Sequence, residues 1–349
     1  MPTKPDFSSR LIAWQKQHGR HDLPWQNTRD PYAIWVSEIM LQQTQVAAVI
    51  GYYARFMQRF PTIQDLAAAN QEEVLQYWSG LGYYSRARNL HHAAQTIMDE
   101  HAGEFPQNFE AIQQLSGIGR STAAAIVSFA FNQVQTILDG NVKRVLTRHF
   151  LIEGWPSTPK IEKHLWGLAE SLLPEEDMVA YTQGLMDLGA TTCTRSKAKC
   201  EQCPLNKTCG AFAQNRVKAL PTSKPKKAIP QKQTTMMVIL SGNEVLLEKR
   251  PPRGIWGGLW SLPEINMQDI ASEIALTRFG LNTEADEPLA NIQHGFTHFK
   301  LDITPQPLRL TSKPLQAHAP NLIWLPIEDA IGAALPTPVR NILLKLNPS

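Results

Sequence analysis

Over the first two thirds of the chain, apolar positions recur every three to four residues, the period of helices with one buried face. Asp30-Pro31 supplies an N-cap followed by proline at the first helical position, and the pattern then runs from Tyr32 to about Phe60. The same period predicts helices over roughly 64–79, 85–101, 108–114, 120–132, 141–150, 160–172 and 178–190. No useful strand-like alternation interrupts them. Beyond residue 233 the texture changes. Segments 234–241 and 244–250 are rich in Met, Val, Ile and Leu, and Gly242-Asn243 between them is a hairpin signal. A further strand is expected over 298–304, with helices at about 268–279 and 337–346. The chain reads as an all-α domain over 1–215 followed by an α+β domain over 233–349.

The 349 residues, 43% of them hydrophobic, suffice for two domains with cores of their own and exclude disorder as the main state. No run of 18 apolar residues exists, and Met1-Pro2-Thr3-Lys4-Pro5-Asp6 has no apolar stretch behind its charge. A soluble cytoplasmic protein is expected. The net charge of +3 is small, but six basic residues and no acidic one fall between Arg216 and Lys232. That run, with prolines at 221, 225 and 230, reads as a basic linker over 216–232.

All four cysteines, Cys193, Cys200, Cys203 and Cys209, lie within 17 residues, spaced C-x6-C-x2-C-x5-C. Thiols this close in an intracellular chain point to a metal before disulfides. The spacing leaves zinc and a [4Fe–4S] cube both open. Arg195, Lys197, Lys199 and Lys207 between these ligands suit phosphate contacts, and they also offset the negative charge of a thiolate site.

Two other features carry candidate chemistry. In Leu115-Ser116-Gly117-Ile118-Gly119, two glycines between helical patterns let free amides at a helix start approach an anion. Glu38 sits among apolar residues on nearly every side of its helix, where burial raises a carboxyl pKa and suits it to general-acid work. Asp139 reads as an N-cap, and also as the electrostatic partner of Glu38 in glycosyl transfer through a cationic sugar.

In this order, the hairpin, the aspartate and the four cysteines resemble the endonuclease III superfamily of helix–hairpin–helix DNA glycosylases. Leu23-Pro24-Trp25, residues 37–45, 80–89, 137–144 and 186–190 extend the resemblance to its MutY-type adenine glycosylases, over nearly the whole chain. The resemblance implies a monofunctional base-excision enzyme, acting as a monomer on double-stranded DNA with A:8-oxoguanine or A:G mispairs in the bacterial nucleoid. It implies a [4Fe–4S] cofactor on the four cysteines, with Glu38, Asp139 and Asn141 catalytic. Gln43 and Tyr83 fall where family members enter the base stack, Gly117 and Gly119 where they grip phosphate, and Trp25 and Gln183 in the adenine pocket. Ser121 stands where strand-cleaving relatives have their lysine nucleophile. Lys143 is a nearby DNA-contact candidate with minor reactivity toward an abasic sugar.

The second domain resembles the Nudix-like module that reads 8-oxoguanine. Gly258 and Glu264 fit the start of a Nudix box, but Leu276 and Thr277 replace its metal-binding glutamate pair, so recognition without pyrophosphate hydrolysis is expected. Phe296-Thr297-His298 matches the recognition loop, with threonine where serine is common. Rival readings are a thymine-mismatch glycosylase or abasic lyase on the same scaffold, and a non-catalytic DNA-binding protein with a structural metal.

Overall fold

A computed structural model describes residues 4–225, 228–311 and 321–346. Met1, Pro2 and Thr3, and Lys226 and Lys227 of the basic run, lie outside the described residues. The chain divides into two compact units, Met1–Ala68 with Asn89–Lys226, and Ala69–Arg88 with Lys227–Ser349. Among the described residues no helix is long and apolar enough to cross a membrane.

The helices are α1 (Lys4–His18), α2 (Pro31–Leu41), α3 (Val46–Arg59), α4 (Ile63–Ala68), α5 (Gln71–Trp78), α6 (Ser85–Glu100), α7 (Phe109–Gln114), α8 (Arg120–Phe131), α9 (Gly140–His149), α10 (Pro159–Ser171), α11 (Met178–Asp187) and α12 (Gly210–Ala213). Asp30 caps α2 by accepting from Tyr32 N, with Pro31 at the first turn as predicted. The helix expected from Tyr32 to Phe60 is instead two. Its apolar run ends at Leu41, and the polar residues 42–45 have nothing to bury. Gln42 N–H closes on Ile39 O, and Gln43 turns left-handed at φ 58°. The Gln42 amide then donates to Gly117 O (3.4 Å) and Thr122 Oγ1 (3.3 Å), tying this break to the glycine hairpin. The helix expected over 64–79 also splits, because Asn70 caps α5 by accepting from Glu73 N (2.8 Å). The core of this unit gathers Phe7, Leu11, Leu138, Val142, Leu146, Leu185 and Leu188, so α1 closes over α9 and α11.

The basic run is partly anchored. Leu220 is buried, its carbonyl accepts from Arg148 Nε (2.8 Å), and Thr222 Oγ1 accepts from Gly154 N (3.1 Å).

The second unit is built on a mixed sheet of β1 (Gln231–Ser241), β2 (Glu244–Lys249), β3 (Trp260–Ser261), β4 (Glu264–Ile265), β5 (Thr283–Ala285), β6 (Ile292–Gly295), β7 (Lys300–Leu310) and β8 (Leu322–Pro326). With it come α13 (Ala271–Phe279), α14 (Ile327–Gly332) and α15 (Thr337–Leu346). The central order is β3-β2-β1-β7-β5, with β8 on β2, β4 on β1 and β6 on β7. The hairpin predicted at Gly242-Asn243 joins β1 to β2, with Gly242 at φ 58°. Strand β7 runs parallel to β1 and continues past Thr304 through Pro305 and Pro307. A strand residue's N–H and C=O share one side. Both proline carbonyls accept from 286–289 (Leu289 N and Asp286 N), so their missing donors face that irregular segment and not β1.

Residues 69–88, from the helical half of the sequence, cluster with this sheet. Glu72 accepts from Trp260 Nε1 and from Lys249 Nζ (2.7 Å), and these bonds hold its carboxyl below the usual range despite partial burial. Gln76 Nε2 donates to Gly332 O (3.0 Å), Ser79 Oγ to Leu335 O (3.0 Å), and Arg340 Nη2 to Ser79 Oγ (3.0 Å). Replacing Glu72 with Ala is expected to cost about 1–2 kcal/mol. Hydrogen exchange should show 71–88 opening faster in that variant, while amides of α8 and α9 stay protected. Equal protection of 71–88 in both proteins contradicts this docking.

Candidate functional site

Helix α2 is buried along almost its whole length, from Tyr32 to Met40. Such a helix offers a carboxylate little water. Glu38 is half-buried and opens on a cavity of about 550 Å³ whose walls include Trp25, Gln26, Leu41, Val46, Gln183 and Met186. Burial pushes the Glu38 carboxyl up to about 8, with the negative charge of Asp139 adding to the rise. Glu38 is therefore neutral at pH 7 and able to donate.

Asp139 takes up the N-cap position considered for it. As the N-cap of α9, its Oδ1 accepts from Val142 N (2.8 Å), while Oδ2 accepts from Asn141 Nδ2 (3.3 Å). Burial raises its pKa, and the backbone amides of Val142 and Asn141, together with Arg144, oppose the rise. Ser121 holds the preceding residue, its Oγ accepting from Leu138 N (3.0 Å). A hydroxyl spent in this way secures Asp139 and offers no amine for a Schiff base. Asn141 packs so closely on Gly189 that a Cβ there would lie 2.5 Å from Asn141 Cβ.

Two arginines that sequence reasoning missed connect this site to the cysteine loop. Arg144 Nη2 donates to Asn141 Oδ1 (2.8 Å) and Gly189 O (2.7 Å), and its Nε to Cys193 O (2.8 Å). Buried Arg148 donates to Thr194 O (2.7 Å), Arg195 O (3.0 Å) and Cys193 Sγ (3.4 Å). Their signal was present, as two cations four residues apart on the helix face that also carries Asn141. The four cysteines are free thiols around one cavity walled by Val145, Leu188, Leu205 and His149. Burial drives the thiols of Cys200, Cys203 and Cys209 upward, Cys203 to about 12. Among the described residues no three Cys, His, Asp or Glu side chains converge on a point that a single ion could fill.

The adenine-pocket candidates Trp25 and Gln183 both line the Glu38 cavity. Gln183 Nε2 donates to Asp187 Oδ1 (2.9 Å), and buried Asp187 is itself held by Arg20 Nε (2.7 Å). Gln26 was missed. Its Oε1 accepts from Leu23 N (3.1 Å), and its Nε2 is buried without a partner among the described residues. Elsewhere on this unit, Gly117 turns at φ 81° against Asn89, and Gly119 caps α8 without a side chain. The first amides of α8 therefore face an exposed turn. Gln43 is exposed at a strained positive φ. Lys143, the DNA-contact candidate, pairs with Glu162 (2.6 Å).

In the second unit, 296–299 form a turn closed by Phe296 N–H to Phe299 O (2.9 Å), with those two rings stacked at 4.5 Å. Thr297 and His298 stand exposed at its tip, and Thr297 Oγ1 lies 3.2 Å from Tyr83 Oη. Tyr83 is exposed and left-handed at φ 50°. Glu264, one of two acids left in the Nudix-box pattern with Glu273, faces the Arg250 guanidinium (2.5 Å), and Glu248 faces Arg278.

A family profile described as HhH-GPD superfamily base excision DNA repair protein matches residues 36–171, and a NUDIX domain profile matches 235–345. The solved structure of a thermostable thymine-DNA glycosylase aligns with a TM-score of 0.56 at 31% identity, covering 60% of this chain and 97% of that one. Fold and site thus define a helix–hairpin–helix glycosylase carrying a Nudix-like module. Adenine DNA glycosylase of Buchnera aphidicola subsp. Acyrthosiphon pisum is 40% identical over 98% of this chain and 97% of its own. The human adenine DNA glycosylase is 35% identical over 96% of this chain and 73% of its own. The chain belongs to the adenine DNA glycosylase family.

If Glu38 is the proton donor, single-turnover base excision should fall as pH rises through about 8. A rate that instead falls from pH 5 upward, with a midpoint near the ordinary glutamate value, contradicts the site.

Proposed function

We propose that this chain hydrolyses the N-glycosidic bond of adenine paired with 8-oxoguanine or guanine in duplex DNA, without cleaving the strand. The observation that carries the reading is a glutamic acid of raised pKa on a cavity roomy enough to admit a base, with Asp139 close enough to raise that pKa further. The adenine leaves the stack to enter that cavity, which costs less from a mispair than from a matched pair.

Glu38 donates its proton to adenine N7, and the C1′–N9 bond breaks with its electrons going to the base. The sugar is left cationic. Asp139, whose anionic form the Val142 amide and Asn141 favour against the effect of burial, offsets that charge. Glu38, now a carboxylate, takes a proton from water as the oxygen adds to C1′. Two amides suit adenine on the opposite edge. With Gln183 Nε2 spent on Asp187, Oε1 is available to accept from the N6 amino group, and the buried Gln26 Nε2 finds an acceptor in N1. Guanine reverses both groups on this edge, and thymine has no N7 to protonate. These points favour adenine over the thymine-mismatch alternative.

The four thiols fit a [4Fe–4S] cube better than one zinc ion, since a cube's corner irons stand apart while zinc draws its ligands to a point. When bound, the cluster supplies a charged cross-link that pins 193–209. Arg148 then meets a thiolate at Cys193, and Arg144 carries the fixed loop to Asn141. The turn at 117–119 and the basic residues Arg195, Lys197, Lys199 and Lys207 provide backbone contacts. Gln43 and Tyr83 enter the stack, and Phe296, Thr297 and His298 read the oxidised base. The pairing of Glu264 with Arg250 supports a module that recognises and does not hydrolyse.

The test is a panel of duplexes carrying A opposite 8-oxoguanine, A opposite G and T opposite G, each with and without alkali. Strand breaks should need alkali and appear for the two adenine duplexes. Glu38→Gln and Asp139→Asn should each bind DNA and lose excision by at least about a hundredfold. Appreciable turnover in Glu38→Gln removes it from the acid role. Thr297→Ala with His298→Ala should lower the preference for 8-oxoguanine over guanine about tenfold, the worth of a lost base contact. An unaltered preference removes the 296–298 loop from recognition.

A further inference from the structure

We propose that Trp256 is a positioning residue for the 296–299 turn and so sets how sharply the base opposite adenine is discriminated. The inference rests on that turn being the reader of the oxidised base.

Trp256 occupies a left-handed backbone conformation, φ 54°, where a bulky side chain is an outlier. Glycines stand close by at 254, 257 and 258, two of them at positive φ, so the neighbourhood already uses the residue best suited to such geometry. Keeping an indole at the strained position makes sense where the ring itself is needed. The ring is 7% exposed and packs 5.3 Å from Phe296 and 5.6 Å from His294, centroid to centroid. Arg250 lies over it at 5.7 Å.

The backbone that carries the indole is itself fixed. Arg250 Nε donates to Ile255 O (2.9 Å), and Gly258 N–H to Pro251 O (3.1 Å). Gly257 approaches Pro252 O so closely that a Cβ would stand 2.5 Å from it. Arg88 Nη1 donates to Gly257 O (2.7 Å), and Arg88 lies in the first turn of α6, five residues after Tyr83.

These contacts make a closed circuit. Thr297 and His298 are exposed at the tip and take their place from the ring stack of Phe296 and Phe299 beneath them. Trp256 supports Phe296 from below. Thr297 meets Tyr83, whose segment is tied back through Arg88 to the residue after Trp256. Both sides of the Tyr83–Thr297 contact are therefore referenced to residues 256–257. Hydrogen bonds weaken steeply with misalignment, so a tip that wanders loses selectivity before it loses binding.

The test uses the full chain and reads the ratio of single-turnover excision rates for A opposite 8-oxoguanine and A opposite guanine. Trp256→Leu keeps apolar bulk and removes the aromatic support, and it should lower the ratio about tenfold, comparable to one lost base contact. Trp256→Phe, which retains a smaller ring, should fall between Leu and the natural residue. Amides 296–299 should exchange faster in the Leu variant. Both rates falling by one common factor, or an unchanged ratio in either variant, overturns the proposal. The Thr297→Ala, His298→Ala protein separates the two levels. If it too keeps the full ratio, the turn is not the reader and the underlying assignment fails. If it loses the ratio while Trp256→Leu retains it, the positioning role alone is wrong.

Discussion

Burial raises the pKa of both Glu38 and Asp139, and only Asp139 has backbone amides that oppose the rise. That constraint organises the catalytic unit. Helix α2 is apolar on every side, so Glu38 keeps its proton near neutrality. Asp139 reaches the same region but sits at a helix start, where backbone amides and the Asn141 side chain bond its anionic form. The two environments pull the two groups apart, one to give a proton and one to hold charge. Ser121, Gly189 and Arg144 are arranged around that division. One secures the residue before Asp139, one lets Asn141 approach, and one ties Asn141 to the cysteine loop.

The sequence made the chemistry legible wherever it was local. An acid inside an apolar helix is visible in ten residues, as are four cysteines in seventeen and glycines flanking a helix start. Asp139 shows that an N-cap and a charge partner need not compete, since the cap bonds favour the charged form against burial. Arg144, Arg148 and Gln26 escaped because their roles depend on partners that only folding brings close. Arg148 meets the carbonyls of Thr194 and Arg195, more than forty positions away in sequence. Lys143 looked available for the same reason, its partner Glu162 lying on another helix.

Fold was legible by length of element. Long periodic helices and the Gly242-Asn243 hairpin were apparent, whereas β3 and β4, two residues each, carry no alternation to detect. The break at 42–45 contains neither Gly nor Pro, and it arises because four polar residues interrupt a run that burial had been sustaining. The positive φ values of Gln43, Tyr83 and Trp256 are likewise invisible in sequence. They mark places where backbone strain is held by surrounding bonds.

The central claim is that Glu38 is a carboxylic acid, and not a carboxylate, in the folded protein at neutral pH. Carbon-13 labelling of glutamate side chains, with Glu38 assigned by comparison to Glu38→Gln, reports that protonation state directly. The account predicts a neutral carboxyl signal at pH 7 and a midpoint at about 8. A carboxylate signal at pH 7, titrating near the ordinary glutamate value, would contradict it.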